Sequence, residues 1–202
     1  MTRPLVAASW RAVARSALFA PVGIAVLLTV GTAAWLDSGS AVNLLRGGAL
    51  LLAAGLVTTV DDPTGEVLAA SPFPLAVRTA TRILVGLAVV VPAWLLIVGI
   101  VTTRVSDVPT AALTLEALGM AAVGLALATG LRRWRAQHQP SHVAGPGLFL
   151  TVLALNAVPP RWALLTDQTW GPPWAATHLR WAALSLSAFA VMRLAMRDPL
   201  DS

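Results

Sequence analysis

The chain has 202 residues, of which 57% are hydrophobic and 11% charged, and its mean hydropathy is +0.76. Soluble domains carry about 25% charged residues, so a water-soluble fold of this length could not cover its own apolar surface, and a bilayer is the natural solvent. The net charge of +5 comes from arginine alone; without lysine the chain cannot build a nucleotide-binding P-loop, and without cysteine it has neither disulfides nor thiolate metal sites.

In chain order, Pro4 to Ala14 comes first. Val6, Trp10, Val13 and Ala17 fall on one face at helical spacing, and Arg11 and Arg15 share another. This is either an interfacial helix or an ordinary juxtamembrane flank. No cleavable leader is expected, because about fifteen mixed residues precede the first long apolar run and no clean small-x-small site stands between it and a soluble domain.

Six apolar segments follow: Ala17–Leu36, Ala41–Val60, Ile83–Val101, Val108–Leu131, Val143–Val158 and Leu179–Ala195. A helix needs about 17–25 residues to span a bilayer; four of these fit, and the last two are marginal. The pattern predicts an all-α integral membrane protein with six spans in a single domain over residues 1–202, with short connections and no internal repeat.

Orientation follows from arginine placement. If both termini share a side, that side receives Arg3, Arg11, Arg15, Arg78, Arg82, Arg132, Arg133, Arg135, Arg193 and Arg197. The other side receives Arg46, Arg104, Arg161 and Arg180. The positive-inside rule then puts both termini, and the connection between spans two and three, in the cytoplasm. Arginines flanking apolar runs meet anionic headgroups, so the positive charge is not read as a nucleic-acid site.

That connection is a polar insert, Asp61-Asp62-Pro63-Thr64-Gly65-Glu66-Val67-Leu68-Ala69-Ala70-Ser71-Pro72-Phe73-Pro74, holding three of the nine acidic residues. Asp62 can cap a helix, with Pro63 at the first helical position, where its missing N–H costs nothing. Glu66 favours the positive dipole end, and Pro72 ends the helix because the residue before proline avoids the α region. The expected helix has about nine residues and is roughly 13 Å long.

The stretch Glu66-Val67-Leu68-Ala69-Ala70-Ser71-Pro72, followed by the basic entry Arg78 and Arg82, resembles the cytoplasmic coupling element of ABC-2-type permeases, the membrane subunits of many ABC exporters. Here Gly65 directly precedes Glu66, whereas the family's glycine usually lies further upstream, and Ala69-Ala70 replaces bulkier residues. The resemblance implies an N-terminal interfacial helix, six spans, and an external re-entrant element between spans five and six. The segment Pro159–Trp181 is the candidate for that element, with Trp162, Trp170, Trp174 and Trp181 around Gly171-Pro172-Pro173; the alternative is a plain external loop resting on the headgroups. The resemblance further implies a separate ATP-binding subunit carrying ATP and magnesium, a homodimer or a second permease subunit as partner, and a bacterial cytoplasmic membrane. It also implies ATPase coupling through Asp62, Gly65, Glu66, Leu68, Ser71, Pro72 and Arg78. No cofactor is expected in this chain itself.

Two intramembrane charges stand out. Glu116 lies about eight residues into the fourth segment and Arg46 about five into the second, so their depths are similar. A charge near the bilayer centre costs about 2.5–3.5 kcal/mol or more. Glu116 is therefore protonated, paired with Arg46, or lining a polar path, and Arg46 alternatively snorkels outward. Arg132-Arg133-Trp134-Arg135 reads as a stop-transfer anchor on anionic headgroups, with docking of the partner as the alternative, and Asn156 as a helix-packing hydrogen bond.

His138 and His142 are four apart, but Gln139-Pro140 interrupts the helix that a metal pair would need. No metal site is expected. His-Glu-x-x-His and Gly-x-Ser-x-Gly are absent, and the Asp61-Asp62 pair lacks the further acidic residues of a metal-dependent transferase, so the chain is not read as an enzyme. Two alternatives to the exporter subunit are a non-transporting accessory or regulatory membrane protein and a secondary transporter with Glu116 as proton carrier.

Overall fold

The computed structural model describes residues 15–61, 74–135, 139–157, 159, 163–166 and 172–197. Among them there are six α-helices and no strands: α1 (Arg15–Thr32), α2 (Ser38–Val57), α3 (Leu75–Thr102), α4 (Thr110–Arg135), α5 (Ser141–Asn156) and α6 (Pro172–Ala195). Short 3-10 turns follow α1 at Ala33–Trp35 and α2 at Thr58–Val60. Each helix overlaps one predicted segment. The expected interfacial helix Pro4–Ala14 and the expected coupling helix, including Asp62, Gly65, Glu66, Leu68, Ser71 and Pro72, lie outside the described residues.

Among the described residues, four helical stretches are long and apolar enough to cross a membrane: Ser16–Trp35, Ser38–Val60, Ala76–Thr102 and Thr110–Arg135. With 28 residues, α3 is roughly 42 Å long at 1.5 Å per residue, which exceeds a hydrocarbon core of about 30 Å. It begins eight residues before the predicted Ile83, because nothing between Pro74 and Arg82 breaks a helix once Pro74 has served as its cap. Arg78 and Arg82 therefore stand within its first turns. By contrast α5, with 16 residues, reaches only about 24 Å. Proline lies inside α1 (Pro21), α3 (Pro92) and α5 (Pro146), as membrane helices tolerate when their neighbours satisfy the freed carbonyls.

The start of α6 also departs from expectation, by seven residues. It begins at Pro172 rather than Leu179, so Trp174 and Trp181 are helical, while Trp162, Trp170 and Gly171 of the expected re-entrant element lie outside the described residues. Pro172 and Pro173 occupy its first turn, where prolines lose no hydrogen bond.

The inner pair of the bundle is α2 and α4. Their membrane windows are 61% and 50% buried, against 28% for α1 and 33% for α3. Leu45, Leu52 and Leu56 of α2 meet Leu113 and Met120 of α4, Ile97 of α3 and Leu148 of α5 in one core cluster. Large apolar side chains also point outward, among them Leu27, Leu84, Leu95, Leu150, Leu179 and Leu186. A fold that is apolar both inside and outside gains little from burial in lipid, so close packing and interior polar pairs must define its helix contacts. Gly119 is one such close contact. A Cβ there would collide with the ring of Trp181, which lets α4 and α6 pack face to face.

Candidate functional site

Polar groups inside the bundle gather at two levels. The first lies near the N-terminal ends of α2, α4 and α6. Arg46 is the ninth residue of α2, and Glu116 and His178 are each the seventh residue of α4 and α6. Similar counts from the same end put all three at one depth. Arg46 Nε donates to Glu116 Oε2 at 2.8 Å, and Arg46 Nη2 donates to Oε1 at 3.1 Å. This is the fork-on-fork geometry in which a guanidinium matches a carboxylate. Arg46 is 8% exposed and Glu116 0%. Of the readings open at the sequence level, pairing is the one found.

The pair has further neighbours. Arg46 Nη1 donates to the Thr166 carbonyl at 3.1 Å, and the guanidinium carbon sits 5.9 Å from the centroid of the Trp174 ring, within cation–π range. His178 completes the cluster. Its Nδ1 lies 2.7 Å from the Trp174 carbonyl oxygen, one helical turn back. Since a carbonyl only accepts, that nitrogen carries the hydrogen. Nε2 then faces Glu116 Oε1 at 3.3 Å, buried and without a hydrogen bond. The Trp174 and His178 rings are 4.3 Å apart at 49°. The cluster thus joins α2, α4, α6 and the segment before α6. Arg180 Nη1 and Trp181 Nε1 tie the same segment to α6 through the carbonyls of Ala163 (2.9 Å) and Leu164 (2.7 Å).

The second level is at the opposite end of α2, where the polar insert leaves the bundle. The Asp61 carboxylate accepts from the Ser141 amide at 3.0 Å and from the Ser141 hydroxyl. It thereby satisfies the Ser141 N–H at the start of α5, a capping role played from a distant part of the chain. Arg82 Nη1 of α3 donates to the Asp61 carbonyl at 3.0 Å. Arg132 Nη1 of α4 donates to the Val60 carbonyl at 3.3 Å and to Thr79 Oγ1 at 3.2 Å. The exit from α2 is therefore held by α3, α4 and α5 together. Arg132, expected as a headgroup anchor or a docking point, turns inward, whereas Arg78 stands half-buried in the first turn of α3.

Of the residues singled out in the sequence, Arg46 and Glu116 are thus brought together. Arg78 stands near the second cluster on α3, and Asp62, Gly65, Glu66, Leu68, Ser71 and Pro72 lie outside the described residues. His142 is exposed on α5, and His138 lies outside them too. Sequence reasoning passed over His178, Thr166, Ser141 and the inward role of Arg82, and took Trp174 only as part of the segment Pro159–Trp181. A signal for His178 was present, because Pro172-Pro173 is a helix start and places Trp174 and His178 one turn apart on one face. No protein-family model, curated protein or solved structure matches the chain.

Proposed function

We propose that the chain is the transmembrane permease subunit of an ATP-driven exporter of the ABC-2 kind, seated in a bacterial cytoplasmic membrane with both termini inside. ATP and magnesium belong to a separate ATPase subunit, which docks on the insert around Glu66. The observation that carries the reading is the polar lock at the insert's root. Asp61 is bonded to Ser141 and Arg82, and the neighbouring Val60 carbonyl to Arg132. A force applied between Asp61 and Pro74 therefore reaches α2, α3, α4 and α5 at once, as a lever driven by a partner's closure requires. The resemblance of Glu66 to Pro72 to a coupling element supplies the partner's class. Coupling needs a partner that binds the two states of the bundle with different affinity. A homodimer or a second permease completes the translocation unit.

The test is co-purification from native membranes in mild detergent, followed by transport in proteoliposomes. A P-loop ATPase should accompany the wild type and be lost from Glu66→Arg and Leu68→Asp. Variants that keep both the ATPase and transport, or a wild type that brings down no ATPase, overturn the reading.

A proton-coupled secondary transporter is the second reading, favoured by the open Nε2 of His178 facing Glu116 Oε1. The two-toothed hold of Arg46 on the same carboxylate argues against Glu116 as a free carrier. Proton-coupled flux in liposomes without ATP would favour this second reading over the first.

A further inference from the structure

A groove of about 400 Å³ runs between α4 and α6, and none of the polar residues of the two clusters lines it. Val123, Leu127 and Leu131 of α4 and Leu184 and Val191 of α6 form its apolar walls. From Val123 to Arg135 it follows α4 for roughly 18 Å at 1.5 Å per residue, close to the half-thickness of a hydrocarbon core of about 30 Å. One end is entirely apolar. The other is closed by Trp134, whose ring covers Gly130, and by the exposed Arg135. Aromatic and arginine side chains at one end of an apolar slot mark headgroup level. The other two arginines of that turn are directed elsewhere, Arg132 to Val60 and Thr79 and Arg133 to the Arg197 carbonyl.

We propose that this groove binds one acyl chain of an anionic phospholipid, with its phosphate on Arg135. Charge complementarity selects the occupant. The described helices of a second copy carry no exposed acidic residue at that level to meet the arginine, and a zwitterionic lipid would offset its phosphate with a cation. The proposal rests on the chain's residing in a bilayer and not on an ATPase partner, so its failure leaves the exporter reading standing.

The test is native mass spectrometry of the full chain in mild detergent, titrated with phosphatidylglycerol or phosphatidylcholine of identical chains. The wild type should retain phosphatidylglycerol preferentially. Arg135→Gln should cut that preference about fivefold, the factor expected from one surface arginine acting on an anionic lipid, whereas Arg193→Gln outside the groove should not. Ser187→Phe, which fills the groove from an exposed position on α6, should lower retention of both lipids with helical content unchanged. Equal binding of the two lipids by the wild type, or unchanged phosphatidylglycerol retention in both Arg135→Gln and Ser187→Phe, overturns the proposal. Because the chain has no native cysteine, Ser187→Cys adds a clean check: a disulfide-linked dimer formed in the membrane would show that a second copy covers the groove and overturn it as well.

Discussion

Arg46 and Glu116, 70 residues apart in the chain, meet through two hydrogen bonds of 2.8 and 3.1 Å in the interior of the bundle. They join the two innermost helices, α2 and α4, at a depth where neither charge could stand alone. Lipid gives apolar helices little reason to choose one neighbour over another, so a pair of this kind fixes which face of α2 meets which face of α4. His178 and Trp174 extend that registry to α6.

Breaking the pair on one side should therefore be costly. Glu116→Gln leaves a buried guanidinium without its counter-charge, and Arg46→Gln leaves a buried carboxylate. Each should lose about 3–5 kcal/mol, the range for halving a buried ion pair. The double variant Arg46→Gln/Glu116→Gln, which leaves no buried charge unpaired, should be much closer to wild type than the sum of the singles. Unfolding in detergent followed by loss of helical circular dichroism gives all four corners of the cycle. Single variants within about 1 kcal/mol of wild type, the range of exposed pairs, would show that the cluster does not hold the bundle.

The helices themselves were legible in the sequence because apolar runs near 20 residues have few other solutions. The Arg46–Glu116 contact was legible as one option, since counting residues from the same end gave the two similar depths. His178 was not, because four tryptophans around Gly171-Pro172-Pro173 suit an interfacial segment as well as a helix, and that signal masks the helix start the prolines also permit. Nor was the bond from Asp61 to Ser141. It links positions 80 apart in the chain, and no periodicity in either segment reports which helix starts will lie side by side.

Gly119 offers a test of the α4–α6 contact. A Cβ at this position would run into the Trp181 ring, and that ring is held by its own bond to the Leu164 carbonyl at 2.7 Å. Gly119→Ala should cost about 1–3 kcal/mol, as overpacking does, and Gly119→Leu more. Combining Gly119→Ala with Trp181→Phe should cost less than the two changes added together, because the smaller ring makes room. Thermal unfolding in detergent measures this, and a fully additive pair would place the clash elsewhere.

Asp37 supplies a pH-dependent feature outside the spans. It caps α2 in a box with Ser40, accepting from the Ser40 amide and hydroxyl at 2.7 Å each. The Ser40 backbone bond, then its side-chain bond, hold the Asp37 carboxyl below the usual aspartate range. A lowered folded-state value means that the cap's contribution is complete above the ordinary aspartate pKa, about 3.9. It is lost as pH falls through the lower folded value. Amide exchange at Ser40 and Ala41 should therefore quicken only at strongly acidic pH. Asp37→Asn should keep the cap and abolish its pH dependence, whereas Asp37→Ala should quicken exchange at every pH.

Asp61 should matter to α5 rather than to its own helix. Asp61→Ala removes the acceptor of the Ser141 amide and hydroxyl and should destabilise the start of α5 by about 1–2 kcal/mol, the upper part of the range for a lost cap. Hydrogen exchange should rise over the first turn of α5 and stay unchanged in the middle of α1. Equal protection throughout α5 in the variant would show that the helix start does not depend on Asp61.

The lock at the insert's root also separates binding from coupling. If the ATPase docks around Glu66, then Arg132 has no part in docking. It holds the Val60 carbonyl and Thr79, and with them the end of α2 against α3 and α4. Arg132→Gln should therefore leave the ATPase bound and hydrolysing ATP while lowering the substrate moved per ATP in proteoliposomes. Glu66→Arg should instead lose the ATPase altogether. The two variants would then fail at different steps, one at docking and the other at force transfer. If Arg132→Gln transported at the wild-type ratio, the anchoring of Val60 would be a matter of stability alone, and the lever would have to run through Arg82 and Asp61.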